Sequence, residues 1–206
     1  MVKELFIVRH GETDYNLNKI VQGSGIDASL NDKGRAQAKA FYEAHKNVAF
    51  DKVYISNLKR TAESVRQFID DGIPYERLVG LNEISWGARE GVPFDNETNR
   101  YYYGILEKWQ QGETTLPVED GESPEQVAIR QRVAMRHIMS QPNEHKVLIC
   151  MHGRAMRILL AHLFNYPLSN MDIFEHRNLG LYRLRATLNQ FQLVGYNEGA
   201  YLSHID

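Results

Sequence analysis

The chain has 206 residues, 43% hydrophobic and 24% charged, a composition that excludes a disordered or fibrous protein and suits one globular domain over residues 1–206. Its 24 Lys and Arg against 26 Asp and Glu leave a net charge of −2. With no block of like charge, this excludes general attraction to nucleic acid or to an anionic membrane.

Leu5–Val8 is an unbroken apolar run, the pattern of a strand covered on both faces. It is far too short for a signal-peptide core or a membrane helix, so the cytoplasm is the expected address. Polar, glycine-containing sequence runs from Gly11 to Asp32. A helix is expected from Asn31 to His45, with Asn31 as its cap and Ala36, Ala40, Phe41 and Ala44 at helical spacing. Lys52–Ile55 reads as a second strand. Ser56 or Asn57 can cap a helix running through Phe68 and Ile69, on which Leu58, Ala62, Val65 and Ile69 recur every three or four residues. A third strand near Arg77–Leu81, a helix over Asn99–Gln110 and a loop over Gly112–Glu122 follow.

Ser123-Pro124-Glu125-Gln126 combines an N-cap serine, a proline at the first helical position and a capping-box glutamine, predicting a helix to about Ser140. Lys146–Met151 is another buried strand, and Cys150 within it is expected to be an inert, buried thiol without a disulfide partner. After the turn His152-Gly153, Met156–Phe164 reads as a helix. Leu181–Arg185 and Phe191–Tyr196 read as a hairpin around Leu188-Asn189-Gln190. The repeated order of strand, loop and helix predicts an α/β fold: a single-domain three-layer sandwich, its mostly parallel central sheet flanked by helices, with an antiparallel strand near the C-terminal end.

Two strand ends carry histidine. Arg9-His10-Gly11-Glu12 follows the first buried strand and Met151-His152-Gly153 follows a later one, and open α/β sheets bind ligands outside the carboxyl ends of their strands. The two histidines can therefore share a pocket. Gly153 would let backbone N–H groups approach a ligand closely. Arg60, one turn into the helix after Lys52–Ile55, can add a planar donor fork matched to phosphate.

These residues fall in a longer pattern. Ile7-Val8-Arg9-His10-Gly11-Glu12-Thr13-Asp14-Tyr15-Asn16 resembles the opening motif of the histidine phosphatase superfamily, which includes cofactor-dependent phosphoglycerate mutases. The resemblance continues through Gln22-Gly23, Asp27 to Leu30, Gly34 with Gln37-Ala38, Ser56-Asn57-Leu58-Lys59-Arg60-Thr61, Leu81-Asn82-Glu83-Ile84 and His152-Gly153-Arg154-Ala155-Met156-Arg157. It is weakest between Pro93 and Glu119. Ser64 stands where the family often has threonine and Asn57 where it often has aspartate, and neither is expected to touch the chemistry.

The resemblance implies that His10 is a nucleophile, that Arg9, Arg60 and His152 form the phosphate pocket, and that Glu83 donates a proton to the leaving group. Asn16 would add a phosphate hydrogen bond, and Gln22, Gly23 and Gly153 would lie at the substrate. The chemistry is consistent with these roles, since phosphoryl transfer spreads charge over three oxygens and needs fixed cations and N–H donors. His152 is expected to serve as an imidazolium, and Glu83 must hold its proton when the ester oxygen departs.

Arg157 is expected in a helix salt bridge. Arg89 and Arg154 are candidates for the substrate's remote end, and Tyr101-Tyr102-Tyr103 for packing or a lid. His45, His137, His145, His162, His176 and His204 show no metal-site spacing and are expected at the surface or in packing, with no metal bound.

The implied function is a phosphomonoester hydrolase acting on a small phosphorylated metabolite through phosphohistidine, with no cofactor. The Glu83-Ile84-Ser85-Trp86-Gly87-Ala88-Arg89-Glu90-Gly91 segment resembles phosphatase branches more than the Glu-Arg-His-Tyr-Gly pattern of the mutases. The alternative is a phosphoglycerate mutase, which would require 2,3-bisphosphoglycerate. A silent phosphate-binding module is a third reading, and oligomeric state is open.

Overall fold

The computed structural model describes residues 2–93, 96–188 and 190–205. The chain runs β1 (Lys3–Arg9), α1 (Asp14–Leu17), α2 (Asp32–His45), β2 (Lys52–Ile55), α3 (Lys59–Ser64), α4 (Arg66–Asp70), β3 (Tyr75–Arg77), α5 (Asn96–Gln110), α6 (Pro124–Ser140), β4 (Lys146–Met151), α7 (Gly153–Leu163), β5 (Leu181–Ala186) and β6 (Phe191–Glu198). Among the described residues six strands form one sheet in the order β3-β2-β4-β1-β5-β6. β1 to β4 are mutually parallel, and β5 runs antiparallel to both of its neighbours.

Alternation along the strands sends side chains into two cores. Leu5, Ile7, Val147 and Ile149 join Val127, Ile138, Ile158 and Leu159 from α6 and α7 on one face. Phe6, Val8, Leu148 and Cys150 join Ala38 and Phe41 from α2 and Phe68 from α4 on the other. The expected sandwich is therefore present. Cys150 is free and fully buried, and burial pushes its thiol pKa up.

Several boundaries differ from the sequence reading. The helix expected to run unbroken from Ser56 or Asn57 to Ile69 is split at Val65, and its N-cap is Leu58, which gives no side-chain cap. Ser56 Oγ instead accepts from Leu58 N–H, and Asp27 supplies an acceptor to Lys59 N–H from a distant loop. Ser64 Oγ donates back to the Arg60 carbonyl, a bond that competes with the helix ladder just before the break.

The third strand ends at Arg77, and residues 79–81 form a 3-10 turn, which redirects the chain towards Asn82 and Glu83. α5 begins three residues before the expected Asn99. The hairpin strands extend to Ala186 and Glu198, and Asn189 of the expected turn lies outside the described residues.

Candidate active site

Register brings the two histidines together. Arg9 pairs with Met151 across adjacent parallel strands, and His10 N–H donates to Met151 O at 2.9 Å. The next residues on the two strands, His10 and His152, place their ring centroids 5.1 Å apart. After Arg9 the chain turns sharply under α2, where a Cβ on Gly11 would meet the Gly34 carbonyl oxygen at 2.7 Å. Gly11 N–H donates to Ser64 Oγ at 2.9 Å, so Ser64 ties the loop after His10 to the helix that carries Arg60. Both of its partners are main-chain atoms, so Ser64 braces the segments that carry the proposed site. Asn57 N–H donates to the side chain of Asn82, beside Glu83.

His10 is 2% exposed, and its Nδ1 lies 2.7 Å from the Gly11 carbonyl. A carbonyl can only accept, so the ring proton sits on Nδ1 and Nε2 keeps its lone pair. Burial, then Arg60 and Arg9, hold the ring pKa well below the usual histidine range, so it is neutral at working pH. Arg9 Nε is buried without an acceptor among the described residues. Burial lowers both Arg9 and Arg60 to about 10, which leaves them charged.

Arg60 is fully buried and donates to His152 Nδ1 at 3.2 Å, Ile26 O at 2.6 Å and Gly23 O at 3.1 Å. His152 therefore accepts on Nδ1, and its protonated Nε2 lies 2.8 Å from Ser56 Oγ. Burial and the neighbouring Arg60 hold it well below the ordinary histidine pKa. The expected imidazolium is thus corrected to a neutral ring, because burial first and then the Arg60 charge beside it disfavour a second proton.

A pocket of about 300 Å³ opens beside this cluster. Arg9, His10, Asn16, Gln22, Glu83 and Gly153 line it, together with Lys19, Trp86, Tyr102, Arg154, Arg157 and His176. Arg60, His152 and Gly23 stand behind that wall. Gly23 presents its carbonyl to Arg60 rather than a surface to the pocket. Asn16 Oδ1 accepts from Thr13 and Asn178, leaving its amide nitrogen as the group for a ligand. Gln22 Nε2 donates to Thr13 Oγ1 at 2.7 Å, while its Oε1 is buried without a partner among the described residues.

Glu83 accepts from Ala155 N–H on Oε1 at 2.8 Å and from Arg154 N–H on Oε2 at 3.1 Å. It thereby caps α7 from a distant loop, which explains why the helix starts at Gly153 and not at the expected Met156. The Glu83 carbonyl accepts from Arg130 of α6, which also bonds the Gly80 and Asn82 carbonyls and the Glu122 carboxylate.

Arg154 and Arg157 both pair with Asp172 and both line the pocket, so Arg157 combines the expected salt bridge with a place at the site. Arg89 pairs with Glu119 over the Tyr101 ring, and neither it nor Tyr101 lines the pocket. Tyr102 is the member of the Tyr101–Tyr103 run that does. Sequence reasoning missed Arg130, Asp172 and Asn178, whose contacts join segments far apart in the chain. It also placed His176 away from the site.

The chain is 30% identical over 186 residues to the uncharacterized phosphatase PhoE of Bacillus subtilis (strain 168), covering 83% of this chain and 89% of that one. It is 26% identical over 208 residues to the probable phosphoglycerate mutase GpmB of Salmonella arizonae, covering 98% and 95%. The fold superposes on mycobacterial glucosyl-3-phosphoglycerate phosphatase with a TM-score of 0.84 at 23% identity, over 97% and 100% of the two chains. The profile of the histidine phosphatase superfamily (branch 1) matches residues 5–199, and the chain belongs to that family.

Proposed function

We propose that the chain is a phosphomonoester hydrolase that acts on a small phosphorylated metabolite, in the cytoplasm, through phosphohistidine at His10. One observation carries this reading: the Gly11 carbonyl fixes the His10 proton on Nδ1, leaving a neutral Nε2 lone pair in a pocket walled by arginine. Nε2 attacks phosphorus as the bond to the ester oxygen breaks, and the Glu83 carboxyl gives its proton to that oxygen. A carboxylate beside a phosphate dianion is repulsive, so the productive complex is the one in which Glu83 carries the proton. The N-phosphorylated ring is a cation, and its Nδ1–H remains held by Gly11 O.

In the second step Glu83 takes a proton from water, the water oxygen attacks phosphorus, and the P–N bond breaks to release phosphate and restore His10. Arg9, the Asn16 amide and the Gly153 N–H at the start of α7 face the phosphoryl oxygens, with Arg60 reinforcing the field from behind. Fixed cations and N–H groups meet the charge demand, so the reaction is assigned no metal or cofactor, and chelation should leave turnover intact. Arg154 and Arg157 suit an anionic remote end of the substrate.

Mutase exchange is the second reading, favoured by the likeness to GpmB over 98% of the chain. Turnover of a panel of phosphate esters with and without 2,3-bisphosphoglycerate separates the two by phosphate release against phosphoryl exchange. In a brief reaction with labelled substrate, label should be held on His10, stable to alkali and labile to acid, and His10→Ala should abolish it. Ordinary turnover by His10→Ala would overturn the reading.

A further inference from the structure

The pocket holds a third imidazole that the proposed reaction does not use. His176 lies between the 3-10 turn at Leu168–Ile173 and β5, in a segment fastened to the end of β1. Leu179 N–H donates to Arg9 O at 2.9 Å, and Asn178 Nδ2 donates to His10 O at 2.9 Å and to Asn16 Oδ1 at 3.3 Å. One main-chain bond and the Asn178 side chain thus carry His176 to His10.

His176 Nδ1 lies 3.4 Å from Arg9 Nη1. A guanidinium only donates, so Nδ1 accepts and the ring proton sits on Nε2. Burial, followed by Arg9, Arg157 and Arg154, holds the ring at a pKa of about 2, so it is neutral.

The Cε1–Nε2 edge of the ring leans over Gly153 at the start of α7. A Cβ on residue 153 would stand 2.7 Å from Cε1, 2.9 Å from Nε2 and 3.4 Å from Arg9 Nε. Glycine at this position leaves room for both groups. The Arg9 Nε–H that lacks an acceptor and the His176 Nε2–H therefore converge on the same end of the helix, beside the pocket that both residues line. Two N–H groups from separate segments, converging on a helix start, suit an oxygen of a tetrahedral anion.

We propose that His176 is a third histidine of the phosphoryl pocket, donating its Nε2–H to an oxygen of the bound group while its Nδ1 accepts from Arg9. This rests on the reading above that the pocket receives a phosphoryl group. A neutral donor suits this place, because it stabilises the anion without adding charge beside His10.

The two ring nitrogens can be tested separately. The amide nitrogen of Gln reaches the position of imidazole Nε2, whereas the amide of Asn reaches only that of Nδ1. Orthophosphate binding to the whole protein is measured by calorimetry, with thermal unfolding as the check on folding. His176→Gln should bind within about threefold of wild type. His176→Asn and His176→Leu should bind about tenfold or more weakly, as expected for a hydrogen bond lost to a charged group.

Affinity in His176→Asn equal to that in His176→Gln would overturn the proposal, because the ring would then act only through Arg9. Wild-type affinity in His176→Leu would overturn it as well. If the leucine variant does not fold, the comparison of Gln with Asn decides alone. Failure of the wild-type protein to bind orthophosphate would instead remove the parent reading, and the proposal with it.

Discussion

His10 and His152 face each other as neutral rings in opposite tautomers, each set by a neighbour that can play only one part in a hydrogen bond. The Gly11 carbonyl fixes the proton on Nδ1 of His10, and the Arg60 guanidinium fixes it on Nε2 of His152. Of the two, and among the described residues, only His10 is left with a lone pair that no neighbour occupies, so partners and not residue type single it out as the proposed nucleophile. Glu83 is the proposed acid, and that role is tested through the leaving group. An alkoxide departs poorly without a proton, whereas a nitrophenolate does not need one. Glu83→Gln should slow phosphohistidine formation from an alkyl phosphate by ~10²–10⁴-fold in a single turnover, and far less from p-nitrophenyl phosphate. Equal losses with both substrates would mean that Glu83 organises the pocket and that the acid lies elsewhere.

At the scale of elements, the two parallel strands β1 and β4 place the histidines, and α6 places Glu83, the proposed acid. Arg130 bonds the carbonyls of Gly80, Asn82 and Glu83, holding the segment that carries the carboxyl group to the start of α7. Arg130→Met keeps the aliphatic stem and removes these bonds. It should cost about 1–3 kcal/mol in urea unfolding, from carbonyls left without donors, and lower kcat/KM by up to ~10²-fold through displacement of Glu83. Stability falling while kcat/KM stays at the wild-type value would show that the Glu83 loop holds its place unaided.

Arg130 also marks the limit of what was legible in the sequence. The strands Leu5–Val8 and Lys146–Met151 and the capping box at Ser123 announce themselves by local pattern, and so do the histidines at the strand ends. The start of α7 does not, because its cap is Glu83, about seventy residues away. The break at Val65 is equally hidden, since the Ser64 hydroxyl serves Gly11 and Arg60 at once. His176 has no sequence signal beyond its identity, and only the bonds from Asn178 and Leu179 bring it to the site.

For the molecule as a whole, a sheet with apolar layers on both faces leaves the strand ends as the place where polar side chains gather in a low-dielectric setting. Keeping histidines neutral there has a consequence for stability. His10 and His152 are 2% and 0% exposed, and burial and nearby arginine hold both well below the ordinary value of 6.5. In the unfolded chain they take up protons as pH falls through about 6.5, while in the folded chain they do not. The unfolded state then binds more protons, so folding stability must fall as pH falls, beginning near the unfolded value. Between about pH 7 and about pH 5.5 each ring contributes a loss of ~1 kcal/mol, roughly 2 kcal/mol for this pair, and His176, held at about 2, adds a similar loss. Most carboxylates stay ionised across that window, which makes the histidine contribution visible in urea unfolding at the two pH values. His10→Gln removes one of these rings, so its loss of stability across the same window should be smaller than that of wild type by ~1 kcal/mol. An unchanged pH dependence in this variant would show that His10 takes up its proton in the folded protein, and the neutral nucleophile at working pH would have to be abandoned.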